Sequence, residues 1–263
     1  MEVISLKLKI IEKLKYLGFS VLSFALVIAI WHLVAYLHIF GKLLPSPIAV
    51  ITELFRIANT PVGGLRLIEH IYWSVRRIIL AFILAASIGV PLGLLMGWYK
   101  KIDAIVSPIF RIIRPIPPIA WIPLAILWFG IGETPKVFVI FIGAIVPCIV
   151  NSYAGIKLTD TTLIDMAKTY EATDRQIFFN IAIPSSLPMI FAGLRHSIGL
   201  AWMCLIAAEL IAAKEGLGYL ILLGMDASNP AMSISGMLVI GFIGGLLSVA
   251  LRYLERRLCP WRR

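Results

Sequence analysis

Six stretches of this chain are apolar over lengths that match the thickness of a bilayer, and this pattern constrains the fold more than any other. A helical span needs about 20 mostly apolar residues, because the hydrocarbon layer is ~30 Å thick and an α-helix rises ~1.5 Å per residue. The runs lie at 19–39, 78–98, 113–129, 137–156, 190–213 and 232–251. The first follows a basic stretch (Lys7, Lys9, Lys13, Lys15) that resembles the start of a signal peptide. Its apolar run exceeds the 7–15 residues of a signal core, and no small-x-small cleavage site follows closely, so it is read as a span. Only 14% of the 263 residues are charged and 60% are apolar, against ~25% charged in a soluble domain. That balance argues against a soluble enzyme, a DNA-binding domain or a disordered chain. The expected fold is an all-α integral membrane protein with six transmembrane helices.

The formal net charge of +10 (24 Lys and Arg, 14 Asp and Glu) invites a nucleic-acid reading. Membrane proteins, however, concentrate Lys and Arg in cytoplasmic loops. Six spans put both termini on one side. With the termini in the cytoplasm, four basic residues lie in the N-terminus and four between spans two and three (Lys100, Lys101, Arg111, Arg114). Four more lie around the next inner loop (Lys157, Lys168, Arg175, Arg195) and five in the tail (Arg252, Arg256, Arg257, Arg262, Arg263). The outer side holds Lys42, Arg56, Arg66, Arg76, Arg77, Lys136 and Lys214, so the split is 17 to 7. The excess is therefore read as topology, with no nucleic-acid partner. The layout is a basic cytoplasmic N-terminus (1–18), the first transmembrane helix (19–39), and an outer segment with a short interfacial helix (40–70). A transmembrane core of helices two to six (71–251) follows, including a cytoplasmic loop (157–184), and then a basic tail (252–263).

Within the outer segment, Ser46-Pro47 is a helix start, with Ser as N-cap and Pro in the first turn. Ile48, Ile51, Leu54 and Phe55 recur at helical spacing and predict a helix lying on the membrane surface. The third run opens Arg114-Pro-Ile-Pro-Pro-Ile-Ala-Trp-Ile-Pro123. So many prolines cannot share one unbroken helix, so this segment is either a kinked scaffold or a pathway lining. Gly89, Gly93 and Gly97, and again Gly241 and Gly245, recur in four-residue steps that allow close helix packing, within the chain or across a dimer. Glu209 is the acidic residue deepest in an apolar run; it either snorkels to the outer surface or serves a gate or pathway. His196 is expected to be a structural histidine. Cys148, Cys204 and Cys259 have no metal or redox spacing; the first two are expected to pack in apolar surroundings, and Cys259 sits beside a membrane end.

Residues 157–184 are polar but patterned as two short helices. Thr162-Leu-Ile-Asp165 and Thr173-Asp-Arg-Gln176 each fit a capping box, in which side chain and backbone satisfy each other's free groups. Leu163, Ala167 and Tyr170 share a face of the first helix, Ile177, Phe178, Ile181 and Ala182 follow in the second, and Pro184 is expected to stop it. Two capped helices with apolar faces expect either a partner groove or the membrane face.

Asp165-Met-Ala167, Glu171-Ala-Thr173 and Pro184 together resemble the "EAA" loop of permease subunits in type I ABC importers. Leu44-Pro-Ser-Pro47, the proline-rich segment with Trp128-Phe-Gly-Ile-Gly-Glu133, Gly193-Leu-Arg195, Ala207-Ala-Glu209, Gly216-Leu-Gly-Tyr219 and Leu254-Glu-Arg-Arg-Leu258 are similar to the nitrate/taurine/alkanesulfonate branch. Residues 118–133 look most like taurine permeases. The resemblance implies a second permease copy as a homodimer, two cytoplasmic ATP-binding subunits and an extracytoplasmic binding protein. It implies a small-anion substrate, a taurine-like sulfonate first and nitrate or bicarbonate next, and the inner membrane of a prokaryote. It also implies that the loop residues Asp165, Met166, Ala167, Tyr170, Glu171, Ala172, Thr173, Phe178 and Pro184 couple to the ATPase. Candidate pathway or gate residues are Pro117, Pro118, Trp121, Asn151, Trp202 and Glu209. One departure stands out: the family's glycine, which permits a left-handed turn, is Glu171 here. The chain has no phosphate-binding Gly-x4-Gly-Lys-Ser/Thr loop and no zinc-site motif, so no cofactor or metal is expected on it; ATP and Mg belong to the partner ATPase. The rival readings are a stand-alone secondary transporter or channel, which needs charges at the midplane, and a membrane enzyme, which needs a catalytic cluster that His32, His38, His70 and His196 do not form.

Overall fold

The computed structural model describes residues 2–259, with side chains from 15 onward except those of 17, 42 and 212. The side chains of Lys7, Lys9, Lys13 and Lys42, and the residues Arg262 and Arg263, lie outside the described residues. The helices are α1 (Glu2–Tyr36), α2 (Pro47–Asn59), α3 (Leu67–Trp98), α4 (Lys100–Ile113), α5 (Ile122–Phe129) and α6 (Glu133–Lys157). Then come α7 (Thr161–Thr169), α8 (Asp174–Ile177), α9 (Ile183–Ala212), α10 (Leu217–Asp226) and α11 (Pro230–Leu258). No strand occurs among the described residues.

Five helical stretches are long and apolar enough to cross a membrane: Gly18–Tyr36, Leu67–Trp98, Glu133–Lys157, Asp174–Ile211 and Pro230–Leu258. A sixth candidate differs from the run expected at 113–129, which the prolines already kept from being one unbroken helix. It is a pair of helices, Lys100–Ile113 and Pro118–Phe129, bent by 86°. The cause is local. Pro115, Pro117 and Pro118 cannot donate the backbone bonds that would carry α4 onward, and the chain restarts through a 3₁₀ turn at Pro118–Trp121. Helix α4 occupies what reads in the sequence as a connection; Ile105, Ile109 and Ile112 are exposed along one face of it.

Ser46 caps α2 as expected, its Oγ accepting from the Ala49 N–H at 3.2 Å. The helix is not merely surface-bound. Val50 and Ile57 are buried while Ile48, Ile51 and Phe55 stay exposed, and Ser235 of α11 donates to the Val50 carbonyl at 3.0 Å. Glu53 accepts from Arg56 Nε at 2.9 Å and from Asn229 Nδ2, at the start of α11, at 2.9 Å. The Arg56 guanidinium holds the Glu53 carboxyl below its ordinary value. A carboxyl lowered in this way stabilises the fold above its unfolded pKa, and the contribution is lost as pH falls through the folded value. The α2–α11 tether is thus expected to hold at pH 5 and release in more acidic solution. Protection of α2 amides against hydrogen exchange, referred to the intrinsic rate at each pH, should fall at pH values below the ordinary glutamate range, and Glu53→Gln should flatten that pH dependence.

Helix α6 lies between α3 and α9. A Cβ added at Gly89 would meet Cys148 Cβ at 2.8 Å, one at Gly93 would meet Ser152 Cβ at 2.8 Å, and one at Gly97 would meet Ile156 Cβ at 2.7 Å. On the other side of α6, a Cβ at Gly193 of α9 would meet Asn151 Cβ at 2.6 Å. The first glycine series therefore packs within the chain. The second does not: nothing lies within 4 Å of a Cβ at Gly241 or Gly245. Gly93→Ala is expected to cost about 1–3 kcal/mol through overpacking and to lower the thermal midpoint, whereas Gly241→Ala leaves it unchanged. Cys148 and Cys204 are buried as expected, and Cys259 is also buried. His196 is exposed, contrary to its expected structural role.

Candidate functional site

The polar loop after α6 is held at both ends. Asp160 Oδ1 accepts from the Thr162 N–H at 2.8 Å and starts α7. This corrects the expected box at 162–165: a carboxylate sits two residues upstream, where it meets the free N–H groups and the positive end of the helix, and Asp165 is left exposed. The second box forms as expected. Thr173 N–H donates to Gln176 Oε1 at 2.8 Å, and Gln176 N–H donates to Thr173 Oγ1 at 3.4 Å.

Between the two helices the chain turns at Glu171, whose φ is +57°. Glu171 N–H donates to the Lys168 carbonyl at 2.9 Å and Ala172 N–H to the Ala167 carbonyl at 3.1 Å. This pair of bonds is a Schellman turn, which places a left-handed residue at the position usually held by glycine. Glu171 takes the strained conformation that the family's glycine would take without cost.

Pro184 does not stop the second helix. Helix α8 runs through a π-turn at Phe178–Ala182 into α9. Ile183 N–H donates to the Phe178 carbonyl, a five-residue step, so the ring of Pro184 falls at a widened turn and in the first turn of α9. Phe178 is 5% exposed and lies 5.5 Å from the Trp98 ring of α3; it anchors the loop and is not part of its outer face. That face is formed by Leu163, Met166 and Tyr170, all exposed, with Ala167 half-buried among them.

At the opposite end of α9, Glu209 is fully buried, which rules out snorkelling. Arg77 Nη1 donates to it at 2.6 Å, the Ser74 hydroxyl at 2.8 Å and the Gly218 N–H at 2.8 Å. Arg77 also grips Glu133 through Nε at 2.6 Å and Nη2 at 2.7 Å, and the Glu215 carbonyl through Nη1 at 2.9 Å. Lys136 Nζ donates to Glu133 at 2.7 Å. Ser74 Oγ accepts from the Leu217 N–H at 2.8 Å. His70 Nδ1 accepts from the Gly216 N–H at 3.1 Å, leaving Nε2 to donate to the Val62 carbonyl at 3.0 Å. Three side chains thus cap the first turn of α10. Gly216, at φ +116°, has no room for a Cβ against the Glu209 carboxylate. Arg77, an outer-side charge by its place just before the second apolar run, lies within α3 and is 1% exposed. The signal was present in His70, Ser74 and Arg77, which are spaced four and three residues apart and so share one helix face.

The other pathway candidates occupy separate contacts. Pro118 faces Gly143 of α6, and the Trp202 indole nitrogen packs on Gly244 of α11. Asn151 Nδ2 donates to the Pro147 carbonyl at 2.9 Å. Pro117 is exposed. The indole nitrogens of Trp121 and Trp202 are buried without a hydrogen-bond partner among the described residues.

A family model described as "Binding-protein-dependent transport system inner membrane component" matches residues 89–263. This chain belongs to that family. The permease is 40% identical over 240 residues to a putative ABC transporter permease protein of Methanocaldococcus jannaschii, covering 91% of this chain and 90% of that one. It is 37% identical over 245 residues to the taurine transport system permease protein of Escherichia coli, covering 92% and 89%. It is 33% identical over 225 residues to the nitrate import permease protein of Synechocystis, covering 84% and 82%. These relatives place the permease in the nitrate/taurine/alkanesulfonate branch expected from its motifs. The MetNI methionine ABC transporter, in an inward-facing conformation, shares the fold at a TM-score of 0.64 and 21% identity, covering 73% of this permease and 95% of that chain.

Proposed function

We propose that this permease forms the membrane pathway of an ATP-driven importer of small oxyanions. A taurine-like sulfonate is the first-choice substrate, with nitrate or bicarbonate next. The single observation that carries the coupling part is the loop at 157–184, where two capped helices present an exposed stripe of Leu163, Met166 and Tyr170. Such a stripe fits a groove on a partner. The partner is a cytoplasmic ATPase, two copies of which would serve two permease copies, with ATP and Mg bound on the ATPase. An extracytoplasmic binding protein delivers substrate. In this arrangement the termini and the loop face the cytoplasm of a prokaryotic cell and the Glu209 cluster faces outward, in keeping with the 17-to-7 split of basic residues. ATP binding changes the pathway only through contacts that differ between its two states, and the loop is where those contacts are made. The pathway candidates are Pro117, Pro118, Trp121, Asn151, Trp202 and Glu209.

The test is reconstitution of the permease with its ATPase and binding protein in proteoliposomes loaded with ATP. Uptake of radiolabelled taurine that needs both partners is the expected result. Uptake of nitrate alone would shift the substrate, and uptake that ignores ATP would favour a secondary transporter.

A further inference from the structure

Glu171 sits where the chain turns left-handed, at φ +57°. A non-glycine residue resists that conformation by roughly 1–2 kcal/mol. The two backbone bonds of the Schellman turn hold the conformation, but no side-chain contact adds to them: the Glu171 side chain is exposed and accepts no hydrogen bond or ion pair among the described residues. Arg175 lies over the Phe179 ring at 5.9 Å. Beside the carboxylate is a cavity of about 360 Å³ lined by Tyr170, Glu171, Ala172, Gln176, Ile177, Asn180 and Ile181. Its lining has one negative charge and no positive one. Asn180 adds an amide, the Gln176 amide oxygen being held by the Thr173 cap, Ile177 supplies a buried apolar wall, and the Tyr170 ring is 83% exposed.

We propose that Glu171 and this cavity form the permease half of a charge-paired anchor that receives an arginine of the ATPase subunit. The inference rests on the docking role proposed above and adds the chemistry of the contact. A guanidinium suits the site better than an ammonium. It is planar, weakly hydrated, presents five donors to a carboxylate and the Asn180 amide, and stacks on an aromatic ring. Glycine at this position relieves the turn but supplies no charge; glutamate accepts the strain and gains a partner.

The test measures binding of the full-length permease in nanodiscs to its purified ATPase subunit, at low salt and at about 0.3 M salt, where exposed charges are strongly screened. Glu171→Gln is expected to weaken binding about tenfold at low salt, with the gap closing at high salt. Glu171→Gly is expected to weaken it similarly, although its backbone is freer. Ala167→Arg, in the centre of the apolar stripe, is the control for docking itself. If Ala167→Arg abolishes binding while Glu171→Gln stays within twofold of the parent, docking stands and the anchor is wrong. Tighter binding by Glu171→Gly also overturns the anchor. If Ala167→Arg binds normally, docking fails and the anchor with it. An arginine-to-alanine scan of the ATPase then identifies the partner: its loss should weaken binding to the parent about tenfold and change nothing in Glu171→Gln.

Discussion

Arg77→Met is expected to remove most of the folded permease from detergent extracts. Arg77 is 1% exposed and Glu209 is fully buried, so the variant leaves a carboxylate deep in the protein without its counter-charge. Breaking a buried pair from one side costs about 3–5 kcal/mol, a large share of the ~5–15 kcal/mol that holds a typical domain together. The same change frees Glu133 and the Glu215 carbonyl, both gripped by the same guanidinium. The check is size-exclusion profile and thermal midpoint. Arg77→Met combined with Glu209→Gln should recover much of the loss, because the neutral amide still offers an oxygen to the Gly218 N–H that Glu209 now caps. A single variant as stable as the parent would show that the cluster carries little of the fold's stability.

The second large effect is on function. Ala167→Arg is expected to cut ATP-driven uptake at least tenfold while leaving the fold intact. Ala167 contributes its carbonyl to the turn, and a substitution does not alter that bond. The side chain lies among Leu163, Met166 and Tyr170, so a charge there must be desolvated whenever the stripe is covered. Uptake and ATPase pulldown measured on one preparation decide the matter; parental values in both would remove the loop's coupling role.

Much of this architecture was legible because it follows from local chemistry. The apolar runs set the spans, Ser46-Pro47 set the start of α2, and the Thr173–Gln176 pair set the start of α8. At Glu171 the position of the family's glycine marks a turn but leaves open whether glutamate adopts the left-handed conformation or the turn is built differently; the structure has it adopt that conformation. What escaped is what depends on distant neighbours. Arg77 reads as an outer-side charge until Glu209, Glu133 and Glu215 are brought to it from other elements. The first capping box failed because Thr162 and Asp160 compete to start the same helix, and spacing alone does not rank them. Pro184 reads as a stop because the widened turn before it has no sequence signature. The short helix α10 is capped by side chains of α3 and α9, so its start is set in space and not by its own residues.

The continuity of α8, the π-turn and α9 has a mechanical consequence. Residues Asp174–Ile211 form one 38-residue helical stretch, about 57 Å long at ~1.5 Å per residue. One end carries the loop helices and the other carries Glu209. The stretch is interrupted at two places, the π-turn at Phe178–Ala182 and Pro188 inside α9, which removes a backbone donor. If the loop is the docking element, motion along this stretch is expected to be absorbed first at these two breaks, so stiffening either one should tighten the link between the loop and the Arg77 cluster.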